Sequence, residues 1–156
     1  MPLEIERKFL VKNCGFLEES YEKKHLVQGF LNSDKNRTVR IRIDGLKSFL
    51  TVKGLSNASG TTRFEWEKEI PLTEGKQLLS LCEEKPVEKY RYLVKKGFHL
   101  FEVDVFLGEN EGLVVAEIEL DAEDSPFEKP NWLGREVTGE VAYYNSCLSK
   151  NPFRNW

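Results

Sequence analysis

Histidine, methionine and cysteine are scarce in this chain: two, one and three among 156 residues. Cys14, Cys82 and Cys147 lie far apart with no C-x-x-C pair, so reduced thiols are expected rather than a zinc site or a disulfide framework. His25 and His99 stand alone, without metal-ligand spacing to the cysteines, and read as ordinary strand residues. No run approaches the roughly 18 apolar residues of a membrane span, and the chain starts on charges rather than on the apolar core of a signal peptide. Neither a membrane nor secretion is therefore expected, and the chain reads as cytoplasmic. The sequons Asn36-Arg37-Thr38 and Asn57-Ala58-Ser59 would matter only after secretion. A Gly-rich phosphate loop is absent, as is a visible catalytic triad, so phosphate binding would have to come from side chains. A basic excess is absent too: a formal net charge of -3 and a pI near 5.6 exclude a general nucleic-acid binder.

What the chain does have is patterned charge. With 40% hydrophobic and 31% charged residues it fits one domain over residues 1–156, able to bury a core. Near the start, Glu4, Glu6 and Lys8 alternate with Ile5 and Arg7. In a strand, i and i+2 side chains share a face roughly 6 to 7 Å apart, so two carboxylates and an ammonium would lie together. The spacing recurs downstream. Arg40 and Arg42 alternate with Val39, Ile41 and Ile43; Thr51 and Lys53 flank Val52; Glu65, Glu67 and Glu69 interleave with Phe64, Trp66 and, past Lys68, Ile70. Lys89 and Arg91 alternate with Tyr90 and Tyr92, Glu102 and Asp104 with Phe101, Val103 and Val105, and Glu117 and Glu119 with Ala116, Ile118 and Leu120.

These patterns predict strands over residues 3–11, 26–31, 38–43, 48–53, 63–70, 87–95, 98–106 and 113–121. Asp44-Gly45 and Lys96-Gly97 mark hairpins, and the Gly-, Ser- and Asn-rich stretch 54–61 marks a loop. Thr73 reads as the cap of a helix with a stripe of Leu78, Leu79, Leu81 and Cys82, ended by Pro86. Residues 122–134 read as an irregular or briefly helical connection, and Thr138 as the cap of a last helix through Leu148. About eight antiparallel strands with two or three helices make a mainly β (α+β) or barrel plan.

Two placements of the charged faces are open. A curved sheet can pack its apolar face on helices and leave the charges in water, or eight strands can close into a barrel with the charges inside. In the barrel, Glu4, Glu6, Glu65, Glu67, Glu102, Asp104, Glu117 and Glu119 would share a cavity with Lys8, Arg40, Arg42, Lys53, Lys89 and Arg91. Crowded carboxylates repel, so the acidic group would protonate in part or bind a hard divalent cation. Oxygen donors without Cys or His favour Mg²⁺, Mn²⁺ or Ca²⁺. The basic group suits an anion with many oxygens, such as a polyphosphate.

Glu4-Ile5-Glu6-Arg7-Lys8-Phe9-Leu10-Val11 resembles the ExExK signature of the CYTH superfamily, the triphosphate tunnel metalloenzymes. The likeness runs through Gln28-Gly29-Phe30-Leu31, Val39 to Arg42, Thr51 to Lys53, Glu65 to Glu67, Val87 to Tyr92, Phe101 to Phe106, Ala116 to Glu119 and Trp132 to Thr138. It implies an eight-stranded antiparallel β-barrel forming a charged tunnel, with a few flanking helices. It also implies Mg²⁺ or Mn²⁺ held by Glu4, Glu6, Asp104, Glu117 and Glu119, and a triphosphate gripped by Lys8, Arg40, Arg42, Lys53, Lys89 and Arg91. The expected catalytic set is Glu4 and Glu6, orienting water, with Lys89. Glu65, Glu67 and Glu102 take no assigned duty, and Arg63 is either a further phosphate contact or a surface residue.

The short length and the Glu6-Arg7-Lys8-Phe9-Leu10-Val11 start resemble the bacterial members associated with inorganic triphosphate hydrolysis to pyrophosphate and phosphate. Nucleoside or thiamine triphosphatase, class IV adenylate cyclase and a non-catalytic polyphosphate or nucleotide sensor are the alternatives. Trp66 should face a core, Trp132, Trp156, Tyr143 and Tyr144 should pack, and Leu78, Leu79 and Leu81 should be core contacts. The family's Thr-x-x-x-basic-Tyr pattern is Thr138-Gly139-Glu140-Val141-Ala142-Tyr143 here, so Ala142 removes a phosphate contact. The implied partner is tripolyphosphate or another triphosphate-containing small molecule, with a homodimer left open and no nucleic acid or membrane.

Overall fold

The computed structural model describes residues 3–156. Nine strands run through it: β1 (Leu3–Val11), β2 (Glu22–Asn32), β3 (Arg37–Asp44), β4 (Lys47–Gly54), β5 (Thr62–Ile70), β6 (Val87–Lys96), β7 (His99–Phe106), β8 (Val114–Glu119) and β9 (Leu133–Glu136). Three short helices flank them: α1 (Phe16–Glu19), α2 (Leu72–Leu79) and α3 (Asn145–Leu148). Strands β1 to β8 close into an antiparallel barrel in the order β1-β5-β4-β3-β2-β6-β7-β8, returning to β1. Closure rests on β1. One edge pairs β8 over Glu6–Leu10, while the other pairs β5 over Leu3–Ile5 and then β9 at Phe9 and Val11.

The pleat decides the rest. Because alternate residues point to opposite faces, closing this sheet with its charges inward turns the apolar set outward, where the connections must cover it. Phe9, Val94, Phe101, Val103, Ala116 and Ile118 form that outer core with Phe16 of α1 and with Trp132 and Leu133. Burying such side chains stabilises by roughly 1.5–3 kcal/mol each. Of the connection expected over 122–134, residues 122–132 are irregular, but Leu133 and Gly134 open β9, a strand the sequence did not predict. The irregular part carries Phe127 and Trp132, and Trp132 meets Phe16 and Phe101 edge-on at ring separations of 6.0 and 5.4 Å.

On the opposite wall α2 lies over β2, β3 and β4, covering Ile41. Two glycines permit this approach. A Cβ at Gly29 would stand 2.8 Å from Cys82 Sγ, and one at Gly75 only 2.3 Å from Ser48 Oγ. The helix begins after Pro71 rather than on a Thr73 cap. Leu78 and Leu79 are half-buried, but Leu81 is 70% exposed, because the helix ends at Leu79 and the stripe stops with it. Trp66 does point away from the charged face, yet among the described residues no helix packs extensively on β5, and Trp66 is 40% exposed instead of buried.

The expected strands are present with shifted ends, and β2 starts at Glu22, four residues early. Its polar start is held by pairing with β6, where Lys23 Nζ sits 4.1 Å from the Tyr90 ring centre and His25 Nε2 meets Glu88 at 2.6 Å. The hairpins turn on Gly45 and Gly97, each with φ near +60°.

The last helix departs most from expectation. Thr138 caps nothing, because its hydroxyl donates to Glu136 Oε2 (2.6 Å) and accepts from the Lys8 amide (2.9 Å). A 3-10 turn, Val141–Tyr143, and the four-residue α3 replace the longer helix. α3 matters through Leu148, which is fully buried with Val87, Leu113, Phe106 and Val115. Val87, Phe106, Val115 and Leu10 lie two residues from Lys89, Asp104, Glu117 and Lys8 in the same strands, hence on the same inward face. The barrel interior is thus charged over most of its length and plugged by apolar side chains at one end.

Candidate functional site

The inward face encloses a cavity of about 290 Å³. Glu4, Glu6, Lys8, Arg40, Arg42, Lys53, Lys89, Arg91, Glu117 and Glu119 all line it, as do Arg63, Glu65, Glu67 and Glu102. Asp104 does not. It is 1% exposed and lies in the wall, with both oxygens taken. Arg91 Nε reaches Oδ1 at 2.8 Å and Arg91 Nη2 reaches Oδ2 at 3.0 Å, while Lys89 Nζ meets Oδ2 at 2.7 Å. Asp104, expected among the metal ligands, here pairs with two of the basic clamps.

Strand register explains the other pairs. Lys8 stands opposite Glu117 (Nζ to Oε1 3.6 Å), and Lys53 opposite Glu65 (4.0 Å) while reaching Glu4 Oε1 at 3.1 Å. Arg91 Nη1 donates to Glu102 Oε2 at 3.1 Å, and Arg40 Nη2 to Thr51 Oγ1 at 3.1 Å and Glu67 Oε2 at 3.5 Å. Glu65, Glu67 and Glu102 thereby act as counter-charges to bases. Arg63 turns its Nε to the Gly54 carbonyl at 3.0 Å, which fixes it at the cavity wall rather than on the surface.

Two groups are left short of partners. Glu6 has no ion pair among the described residues, and Glu119 faces it across β1 and β8. Burial, then the charges of Glu117 and Glu4, push the Glu6 carboxyl well above its ordinary range. Burial, a hydrogen bond with Glu65 and the charges of Glu65 and Glu117 push Glu4 up to about 7 against the pull of Lys53. Glu119 is raised by burial and by Glu4 and Glu102. Glu117 is the exception: burial raises it, but Lys8, Arg91 and Lys89 outweigh burial and hold it below the usual carboxylate range.

The cations show the mirror image. Burial drives Lys89 down to about 7 despite Asp104, and Arg42 down to about 9, with Arg40 and Arg91 adding repulsion. Burial likewise lowers Arg40. Arg91 is held high, since Asp104 and Glu102 outweigh the effect of burial.

Several lining groups were given no site role from the sequence. Asn145, the first residue of α3, accepts from Lys89 Nζ at 3.1 Å. Tyr144 does more than pack: its ring lies 5.1 Å from Lys8 Nζ, and the Tyr143 carbonyl is 3.4 Å from the same atom. Gly60 and Gly139, both at positive φ, touch so closely that a Cβ on Gly60 would stand 2.4 Å from the Gly139 Cα. The sequence signal available for that contact was Gly in two loops, which fixes no partner.

The donor chemistry suits a hard divalent cation: oxygen donors only, from Glu4, Glu6, Glu117 and Glu119. Among the described residues no three His, Cys, Asp or Glu side chains stand grouped as a ready cation site. The carboxylates are instead interleaved with lysines, so a cation fits where an anion draws those lysines away.

The CYTH domain family matches residues 2–145. An inorganic triphosphatase of Acetivibrio thermocellus is 48% identical over 158 residues, covering 100% of this chain and 99% of that protein. An inorganic triphosphatase of Nitrosomonas europaea is 37% identical over 150 residues, covering 94% and 96%. A crystal structure of an inorganic triphosphatase superposes with a TM-score of 0.66 at 35% identity, over 94% of this chain and 97% of that one. A Pyrococcus horikoshii protein at 24% identity shares the fold, with a TM-score of 0.57 over 78% and 80% of the two chains.

Proposed function

The chain belongs to the CYTH domain family, and we propose that it is a divalent-metal-dependent inorganic triphosphatase, hydrolysing tripolyphosphate to pyrophosphate and phosphate. One observation carries the reading. A single cavity holds a carboxylate with no cation among the described residues, Glu6, and a cation with no anion, Arg42, beside Glu4 and Lys89, for each of which burial outweighs its one close partner. A metal and a polyphosphate entering together satisfy both deficits. The naming of two relatives along nearly their whole length as inorganic triphosphatases supports the same substrate.

In this reading Lys8, Arg40, Arg42, Lys53, Lys89 and Arg91 bind the phosphate oxygens. Arginines offer forked hydrogen bonds and the lysines point charges. Glu4, Glu6, Glu117 and Glu119 would hold Mg²⁺ or Mn²⁺, which when bound neutralises phosphate charge. Asp104, its oxygens engaged, serves as counter-charge to Lys89 and Arg91 and is left out of the metal set. Water attacks the terminal phosphorus in line, the new O–P bond forms as the bridging P–O bond breaks, and pyrophosphate leaves. Glu4 or Glu6 orients that water and takes its proton. Burial first of all lifts the Glu4 carboxyl from its ordinary 4.5 to about 7, which suits a base acting near neutral pH. Lys89 and Arg42 stabilise the charge that builds up on the phosphoryl oxygens.

Phosphate release from tripolyphosphate, ATP and thiamine triphosphate, each with Mg²⁺, Mn²⁺ or chelator, tests this in wild type and Glu6→Gln. Release that needs metal, is fastest with tripolyphosphate and is lost in the variant is the expected result. Tight triphosphate binding without turnover under any metal would replace the enzyme with a sensor.

A further inference from the structure

Of the six basic residues assigned to phosphate, Arg42 alone has no acidic partner among the described residues; the others pair with Glu117, Glu67, Glu4, Asp104 or Glu102. Its hydrogen bond goes to a neutral group: Nε donates to Gln28 Oε1 at 3.1 Å. The two residues stand opposite each other in the β2–β3 register. Gln28 is fully buried and lies behind the cavity surface rather than on it.

The orientation of this amide is fixed by chemistry. An arginine Nε–H can only donate, so the amide oxygen must face it and the amide nitrogen must point away. There Gln28 Nε2 finds no acceptor. Beside Leu26 in β2 and opposite Val87 in β6, the amide leaves its own Nε2 donor orphaned while it gives the buried Arg42 Nε its acceptor. A carboxylate would bind Arg42 more strongly, but it would also neutralise the guanidinium. A neutral acceptor is the side chain that can lock the plane of the guanidinium without taking its charge.

We propose that Gln28 is a positioning residue for the triphosphate clamp: by accepting from Nε it holds the guanidinium of Arg42 in one plane and leaves both Nη groups, with the full charge, for phosphate oxygens. This rests on the triphosphate reading of the tunnel and deepens it. Bidentate recognition of phosphate depends on the direction of the fork, so an arginine free to rotate loses part of its affinity without losing its charge.

The test uses Gln28→Met, Gln28→Glu, Arg42→Lys and the Gln28→Met/Arg42→Lys double variant. Tripolyphosphate binding is read by calorimetry without metal, kcat and KM with metal, and thermal stability by melting. Gln28→Met should weaken binding and raise KM about tenfold, a loss of about 1.4 kcal/mol, with kcat little changed. In the Arg42→Lys background, which lacks the Nε fork, the same change should have no further effect. Gln28→Glu should also lose affinity while melting higher, and it carries the test if Gln28→Met does not fold. Wild-type affinity in either Gln28 variant, or an equal loss in the Arg42→Lys background, would overturn the proposal while leaving the triphosphatase reading intact. Wild-type protein that fails to bind tripolyphosphate would overturn both.

Discussion

Glu6 faces Glu119 across two paired strands and has no cation of its own among the described residues. Its ionised form is therefore a local cost that the fold carries in the absence of metal. Glu6→Gln removes the charge and keeps the shape, so the metal-free variant should melt higher than wild type, by about 2–4 °C for each kcal/mol relieved, while turnover is lost. A lower melting temperature in differential scanning calorimetry would contradict this. The pH dependence follows from Glu4. Its folded value, about 7, lies above the ordinary 4.5, so the stability it contributes is complete below pH 4.5 and is lost as pH rises through 7. Metal binding requires the opposite form. Mn²⁺ affinity measured by titration should rise from pH 5 to 7, by up to about tenfold per proton displaced per pH unit, and level off above. A flat profile would remove Glu4 and Glu6 from the metal set.

Among the elements, the seven alternating segments were readable because a strand's period of two survives any tertiary context that buries one face. Which face is inside was not readable from alternation alone, since a solvated face and a tunnel wall call for the same residues. Barrel closure settled that, and the family likeness of Glu4 to Val11 anticipated it. The C-terminal end was misread for a physical reason: Thr138 has a capping hydroxyl, but Glu136 and the Lys8 amide occupy it. Asn145 gave no signal, and Gln28 only a place in the family likeness with no role attached, because an amide's role lies in the neighbour that it holds. α3 is short yet consequential, since Leu148 fills the plugged end while Asn145 grips Lys89. Leu148→Ala should cost about 2–4 kcal/mol through the cavity it leaves, and it should raise the KM for tripolyphosphate by loosening Lys89. A destabilised variant with unchanged KM would separate the plug from the site.

At the scale of the whole molecule the barrel inverts the usual arrangement: the apolar core lies outside the sheet, under α1, α2 and segment 122–132, and the charges lie within. A tunnel of this kind balances itself through internal ion pairs such as Lys53 with Glu4 and Lys8 with Glu117. Either ligand alone must break those pairs. A metal alone leaves the lysines unpaired, and a polyphosphate alone leaves the carboxylates repelling one another. Together they exchange each internal pair for two external ones, so their binding should be mutually reinforcing, and reinforcement of this kind is reciprocal. A ligand present at 100 times its Kd stabilises the fold by about 2.7 kcal/mol. Thermal melting with Ca²⁺ and tripolyphosphate should therefore give a shift larger than the sum of the two separate shifts. Raising salt from 50 to 500 mM should shrink the tripolyphosphate shift, because the screening length falls. Strict additivity of the two ligands would mean that acids and bases in the tunnel act as independent sites, and the exchange of partners on which the hydrolytic reading depends would fail with it.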